Sequence, residues 1–285
     1  MTDRTDKVLR AMTNDGAFRV VVVESSETVR AANEVQQAED TEAAAFGDLL
    51  TATVLFRETM SPQLRVQGIA KPASGLGQLV ADSHPSGDVR GLVQRGKGQS
   101  RVQITQGSTL RMLRSLQDGS INQGIVAFGE KATISEGLMI YMQKSEQIVT
   151  MAAVGSAPVD GKSRCSGGYL VQLLPGAPRG PLMVMTERLK DFQNVEPLLR
   201  DQNFNPRWLL QELLHQMEYT ELGESEIRFH CWCDDLRVVA SLATLPRADL
   251  EELLTANESL EIECDYCHKE YIVAPSTLRG LADSN

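Results

Sequence analysis

Four of the five cysteines in this 285-residue chain fall in two close pairs near its end, Cys231-x-Cys233 and Cys264-x-x-Cys267. Thirty residues separate the pairs. Thiolates one or two residues apart on a tight turn can share one metal ion, and two such turns complete a tetrahedron of soft donors about 2.3 Å from zinc. The elements needed to bring the turns together are legible. Asp234 or Asp235 can cap a helix over Leu236–Ala243, and Pro246 can open another that carries Leu250, Leu253 and Leu254. LEIE and KEYIV then form a hairpin whose turn is CDYC. A domain of about sixty residues buries a marginal core, so a structural metal contributing about 10–16 kcal/mol would hold it folded, and its removal would unfold it.

Other readings of the cysteines are weaker. Buried thiols or permanent disulfides account poorly for the paired spacing. A redox C-x-x-C belongs at a helix start after a βαβ unit, not in a terminal hairpin. A nucleic-acid-binding zinc ribbon needs a basic face, whereas Glu226–Asn285 holds twelve acidic residues against five Lys and Arg. His230 and His268 flank the cysteines but are superfluous to a filled tetrahedron. Cys165 stands alone and reads as a buried or half-buried thiol. Spacing leaves open whether zinc is only a staple or also a switch, and most tetrathiolate sites are closed and structural.

The rest of the chain must position this domain. Its net charge of −10 argues against a nucleic-acid partner, and no apolar run is long enough to span a membrane. The polar start MTDRTDKVLRAMTNDGAFR lacks the apolar stretch of a secretory signal. A cytoplasmic location is therefore expected, where cysteines bind metal more often than they form lasting disulfides.

FRVVVVE reads as a strand, Ser25 or Ser26 as a helix cap, and Asp40–Glu58 as a mostly buried helix. QLRVQGIA, GQLVAD, DVRGLV, RVQITQ and INQGIVAF follow as strands, then a helix near Ser135–Lys144 and two more strands, QIVTMAAVG and CSGGYLVQLLPGA. Clustered strands define an α+β class. Prolines and glycines in PGAPRGP mark a boundary, after which helices are expected over Thr186–Arg200 and from Asn205-Pro206. The expected organisation is a mixed helix and sheet core over 1–177, a helical linker over 178–225 and a tetracysteine zinc domain over 226–285. GLVQRGKG nearly matches a phosphate-binding loop, but Gly98 stands where Ser or Thr must reach magnesium.

With these residues laid out, the chain resembles the heat-shock protein 33 family of redox-regulated holdase chaperones (33 kDa chaperonin). The two cysteine pairs and EIECDYCHKEYIV carry the likeness, and GDLLTATVLF, GDVRGLV, YMQKSEQIVT and GGYLVQLLPGA extend it over nearly the whole chain. The resemblance implies an ATP-independent chaperone with no enzymatic site, inactive while zinc on Cys231, Cys233, Cys264 and Cys267 keeps the terminal domain folded. Oxidants would then join Cys231 to Cys233 and Cys264 to Cys267, release the zinc and unfold the domain and linker. Apolar linker residues such as Phe192, Val195, Leu198, Leu199 and Trp208 would become available to unfolding clients. The family also implies a homodimer when active and ATP-dependent foldases downstream. Asp234 and Asp235 beside Cys233 depart from the expected small polar and basic residues, and adjacent carboxylates disfavour a free thiolate. An interaction module with permanent structural zinc is the alternative reading, and a thiol oxidoreductase a more distant one.

Overall fold

The computed structural model describes residues 5–116, 118–158, 164–201, 204–255 and 258–284. They form two compact units, Met1–His230 and Cys231–Asn285.

The first unit opens with a hairpin, β1 (Asp6–Thr13) and β2 (Phe18–Glu24), followed by helices α1 (Ser26–Gln36) and α2 (Asp40–Glu58). Five strands come next: β3 (Arg65–Lys71), β4 (Gln78–Ser83), β5 (Asp88–Gln94), β6 (Thr109–Ser115) and β7 (Ile121–Ala127). After α3 (Ile134–Lys144) a second hairpin, β8 (Thr150–Pro158) and β9 (Arg164–Leu173), leads into α4 (Arg179–Asp191), α5 (Glu196–Leu199) and α6 (Pro206–Leu213). The unit ends on β10 (Tyr219–Phe229). All ten strands share one sheet in the order β7-β6-β3-β4-β5-β10-β1-β2-β9-β8, so the α+β expectation is met. Neighbours are antiparallel except β5 and β10, which run parallel.

Four consecutive valines in β2 show why the helices lie where they do. An apolar run without alternation signals a strand covered on both faces. Val21 and Val23 enter a core with α1, α2 and α3, and Val20 and Val22 enter a second core with residues of α4, α5 and α6. Helix α2 supplies Phe46, Leu49, Leu50, Leu55 and Phe56 to the first core. It lies close to the sheet because Gly68 has no side chain: a Cβ there would fall 2.4 Å from the Thr53 hydroxyl. Two of the buried acids in this unit are ion-paired, which offsets the cost of burying charge. Asp82 meets Arg65 and Arg90, and Glu58 meets Arg10 and Arg57.

Four expectations change. RVQITQ forms no strand, because the Val102 amide donates to the Glu42 side chain at 2.7 Å instead of to a neighbouring strand. The strand in this part of the chain is β6, whose arginines obscured its alternation. The helix expected over Thr186–Arg200 is two helices, α4 and α5, parted at Asn194, whose side chain accepts from the Glu196 amide at 3.1 Å. Residues 178–225 are not wholly helical either. They include most of β10, and the second unit begins at Cys231, not Glu226, because Glu226–Phe229 complete that strand. Its sequence, YTELGESEIRF, is charged and largely exposed, and backbone pairing with β1 and β5 makes it a strand.

The second unit contains α7 (Asp235–Leu242), α8 (Arg247–Leu254), the hairpin β11 (Leu260–Glu263) and β12 (Glu270–Val273), and α9 (Pro275–Ser284). Its buried apolar centre is small: Leu242, Leu250, Val273, Leu278 and Ala282. Among the described residues, no helix is long and apolar enough to cross a membrane.

Candidate metal centre

Each cysteine pair is fixed by a different local device. Cys231 and Cys233 lie in the segment leading into α7. There Asp234 caps the helix by accepting from the Arg237 amide at 2.8 Å, and the Arg237 guanidinium donates to the Trp232 carbonyl at 2.7 Å. The capping residue of the motif thus orders the chain immediately after Cys233, and the Arg237 bond ties down the residue between the two cysteines.

Cys264 and Cys267 sit on the turn between β11 and β12. The Cys264 amide donates to the Lys269 carbonyl at 3.0 Å, and the amides of Cys267 and His268 donate to the Cys264 carbonyl at 3.2 and 2.8 Å. His268 takes a left-handed conformation, φ +57°, that lets the turn close. Backbone amides of Tyr266 and Cys267 are aimed at the Cys264 sulfur, and that of Lys269 at the Cys267 sulfur.

All four sulfurs lie within 4.8 Å of one another. Cys231 Sγ is 3.8 Å from Cys264 Sγ, and Cys233 Sγ is 3.3 Å from Cys267 Sγ. Sulfurs at the corners of a tetrahedron with 2.3 Å bonds stand about 3.8 Å apart, so the donor set fits a tetrathiolate zinc site. The histidines stand aside: His230 lies 3.9 Å from Asp88, and His268 contacts Glu263. Cys165 is far along the chain on β9, half-buried and packed against the second core of the first unit.

Electrostatics within the cluster are uneven. Burial pushes the Cys233 thiol up, but Tyr271 and the other three cysteines outweigh it and bring it down to about 7. Burial raises Cys264 and Cys267. Asp234 is turned toward the Arg237 amide. Tyr271 escaped the sequence reading, although the inward alternation of KEYIV, with Tyr271 and Val273 buried, carried the signal.

A large curled sheet flanked by helices, followed by a small four-cysteine unit, defines a recognisable class of protein. The family model described as Hsp33 protein matches residues 6–274. The chain belongs to the Hsp33 family. It is 30% identical to a 33 kDa chaperonin of Streptococcus sanguinis over 97% of this chain and 98% of that one. A 33 kDa chaperonin of Streptococcus gordonii matches to the same extent. The crystal structure of a 33 kDa chaperonin (heat shock protein 33 homolog) from Thermotoga maritima superposes with a TM-score of 0.82 at 20% identity, covering 99% of both chains, a likeness of fold.

Proposed function

We propose that this protein is an ATP-independent holdase chaperone, switched on when oxidation of Cys231, Cys233, Cys264 and Cys267 releases zinc from the second unit. The observation that carries this reading is the cluster itself: four sulfurs within 4.8 Å, held by a unit whose buried apolar centre is five residues. Bound there, zinc would keep four thiolates together and supply much of the unit's folding free energy. The name chaperonin borne by its relatives supports the chaperone assignment.

Chemistry at the sulfurs follows from their ionisation. A thiolate attacks a hydroperoxide oxygen; the S–O bond forms, the O–O bond breaks and hydroxide leaves. A neighbouring thiolate then attacks the sulfenic sulfur, forming the S–S bond and expelling the second hydroxide. Each pair of sulfurs thereby gives up two electrons and ceases to donate as thiolates. Family likeness favours Cys231 with Cys233 and Cys264 with Cys267; all four sulfurs are mutually close, so peptide mapping decides the pairing. Loss of the metal leaves a five-residue apolar centre to hold the unit, which then unfolds. Helices α4–α6, with Val195, Leu199, Phe204 and Leu209 buried against the sheet, supply apolar surface for unfolding clients if they loosen in turn. The active form is expected to be a dimer, with ATP-dependent foldases receiving its clients and the cytoplasm as its compartment.

Zinc release and far-ultraviolet circular dichroism followed together during hydrogen peroxide treatment at an unfolding temperature, beside aggregation of a heat-unfolding client, test the proposal. Coupled loss of metal and helix with suppressed aggregation is expected. Retained zinc and unchanged helix would instead identify a permanently structural site.

A further inference from the structure

Strand β7 closes one end of the ten-stranded sheet, with β6 on one side and no strand on the other. Its pairing with β6 fixes which way its backbone points. At one end of this hairpin the Leu116 amide donates to the Ser120 carbonyl at 2.8 Å, and at the other the Phe128 amide donates to the Ser108 carbonyl at 2.8 Å. Antiparallel pairs alternate between bonded and non-bonded, so in the unbroken register between these ends Asn122, Gly124 and Val126 bond to β6. The N–H and C=O groups of Ile121, Gln123, Ile125 and Ala127 therefore point outward along the free edge. Side chains of the same four residues are exposed, Ile121 at 62% and Ile125 at 52%. The opposite face packs on α3, where a Cβ on Gly124 would fall 2.8 Å from the Tyr141 ring. Sheets ordinarily blunt an open edge with charge, proline or a bulge, and INQGIVA carries none of these. The strand at the other end of the sheet, β8, is buried almost throughout.

The exposed pattern also says what fits. Ile121, Gln123 and Ile125 read the same in both directions about Gln123, as an interface on a two-fold axis requires. An antiparallel copy of β7 with that axis beside Gln123 sets Ile121 against the second copy's Ile125 and Gln123 against itself. All three are outward-bonding positions, so each opposed pair can exchange backbone hydrogen bonds. The nearest acids, Asp118 and Glu130, then fall opposite Phe128 and Leu116 of the second copy and not opposite each other. Leu113 on β6, paired with Gln123, continues the apolar strip. We infer that the free edge of β7 is the surface through which a second copy of this chain pairs, joining two ten-stranded sheets into one. The inference rests on the dimer expected above and names its interface and register.

Sedimentation velocity of the full-length protein, treated with hydrogen peroxide at an unfolding temperature, tests it. Replacing both Ile121→Lys and Ile125→Lys opposes like charges at every isoleucine pair, on side chains that are already exposed. The dimer dissociation constant is expected to rise roughly tenfold or more. Mixing this variant with one carrying Ile121→Glu and Ile125→Glu should restore dimers of mixed composition, which a folding defect would not do. A dimer that persists in the lysine variant, or a mixture that stays monomeric, overturns the interface. Should either variant fail to fold, Gln123→Pro, which removes one outward N–H and no bond to β6, must weaken the dimer; an unchanged dimer overturns the inference. Lost protection of a client with the dimer unchanged would assign the edge to client segments and overturn the second copy as its occupant. Wild-type protein that stays monomeric after treatment would overturn the expected dimer itself, a result distinct from a dimer indifferent to β7.

Discussion

At the scale of single residues, the protein concentrates its chemistry in side chains that sequence displays openly. Cys231, Cys233, Cys264 and Cys267 stand out by type and spacing, and Asp234 by its place before an apolar helix. Replacing Cys264 with Ser removes a soft donor from the centre of the turn. On the proposed zinc reading, zinc content measured by atomic absorption should fall from an expected one per chain to well below half, and the second unit should lose its helical signal. Less legible was Asp88, whose ion-pair partner Arg228 comes from distant sequence. Arg228 donates to it at 2.8 Å and Ser86 at 2.7 Å. Burial alone would raise its carboxyl, yet these bonds and nearby His230 hold it below the usual carboxylate value of 3.8. A depressed carboxylate stabilises the fold above its unfolded pKa, and that contribution is lost as pH falls through the lower folded value. Asp88→Asn should therefore lower the melting temperature at pH 7 by an amount worth about 1 kcal/mol, with the difference shrinking below about pH 4. A gap between the two proteins' melting temperatures that stays constant or widens as pH falls would refute this account.

At the scale of elements, the deciding feature is where side chains are missing. Gly155 on β8 and Gly167 on β9 face each other in register, and α5 lies against them. A Cβ on Gly155 would fall 2.8 Å from the Val195 side chain. One on Gly167 would fall 2.6 Å from the Val23 carbonyl and 3.2 Å from Leu199 and Phe204. Gly167→Ala should destabilise the first unit by about 1–3 kcal/mol in urea titration and expose Leu199 and Phe204 to proteolysis before the strands unfold. In the second unit, Leu250 is fully buried within a small centre. Leu250→Ala should cost about 2–5 kcal/mol, enough to weaken zinc retention against a chelator. Long apolar segments, such as α2 and β2, could be read directly from sequence. Strands β6 and β10 could not, because arginines and glutamates populate them and long-range backbone pairing overrides propensity.

At the scale of the whole molecule, the two units differ in what holds them. The first has two extensive apolar cores around a ten-stranded sheet, whereas the described residues of the second hold one cluster of five buried apolar side chains beside the four thiols. Chelating the metal under reducing conditions should abolish hydrogen-exchange protection in α7, α8 and α9 and leave it intact in β1, β2 and β9. Loss of protection across both units together would show that they fold as one.

Strand β10 gives the intervening helices an unusual mechanical status. It returns to the middle of the sheet, beside β1, from far along the chain: Thr13 pairs with Tyr219 and Asp6 with Ile227. Helices α4–α6 are thus not a tail leading outward but an excursion tethered at both ends, by β9 before them and β10 after. If they detach, they must billow out as a closed loop from Leu174 to Glu218, with both ends still clamped in the sheet. A closed loop has far less conformational freedom than a free end, so its release is limited in reach and its return is rapid and in the original place.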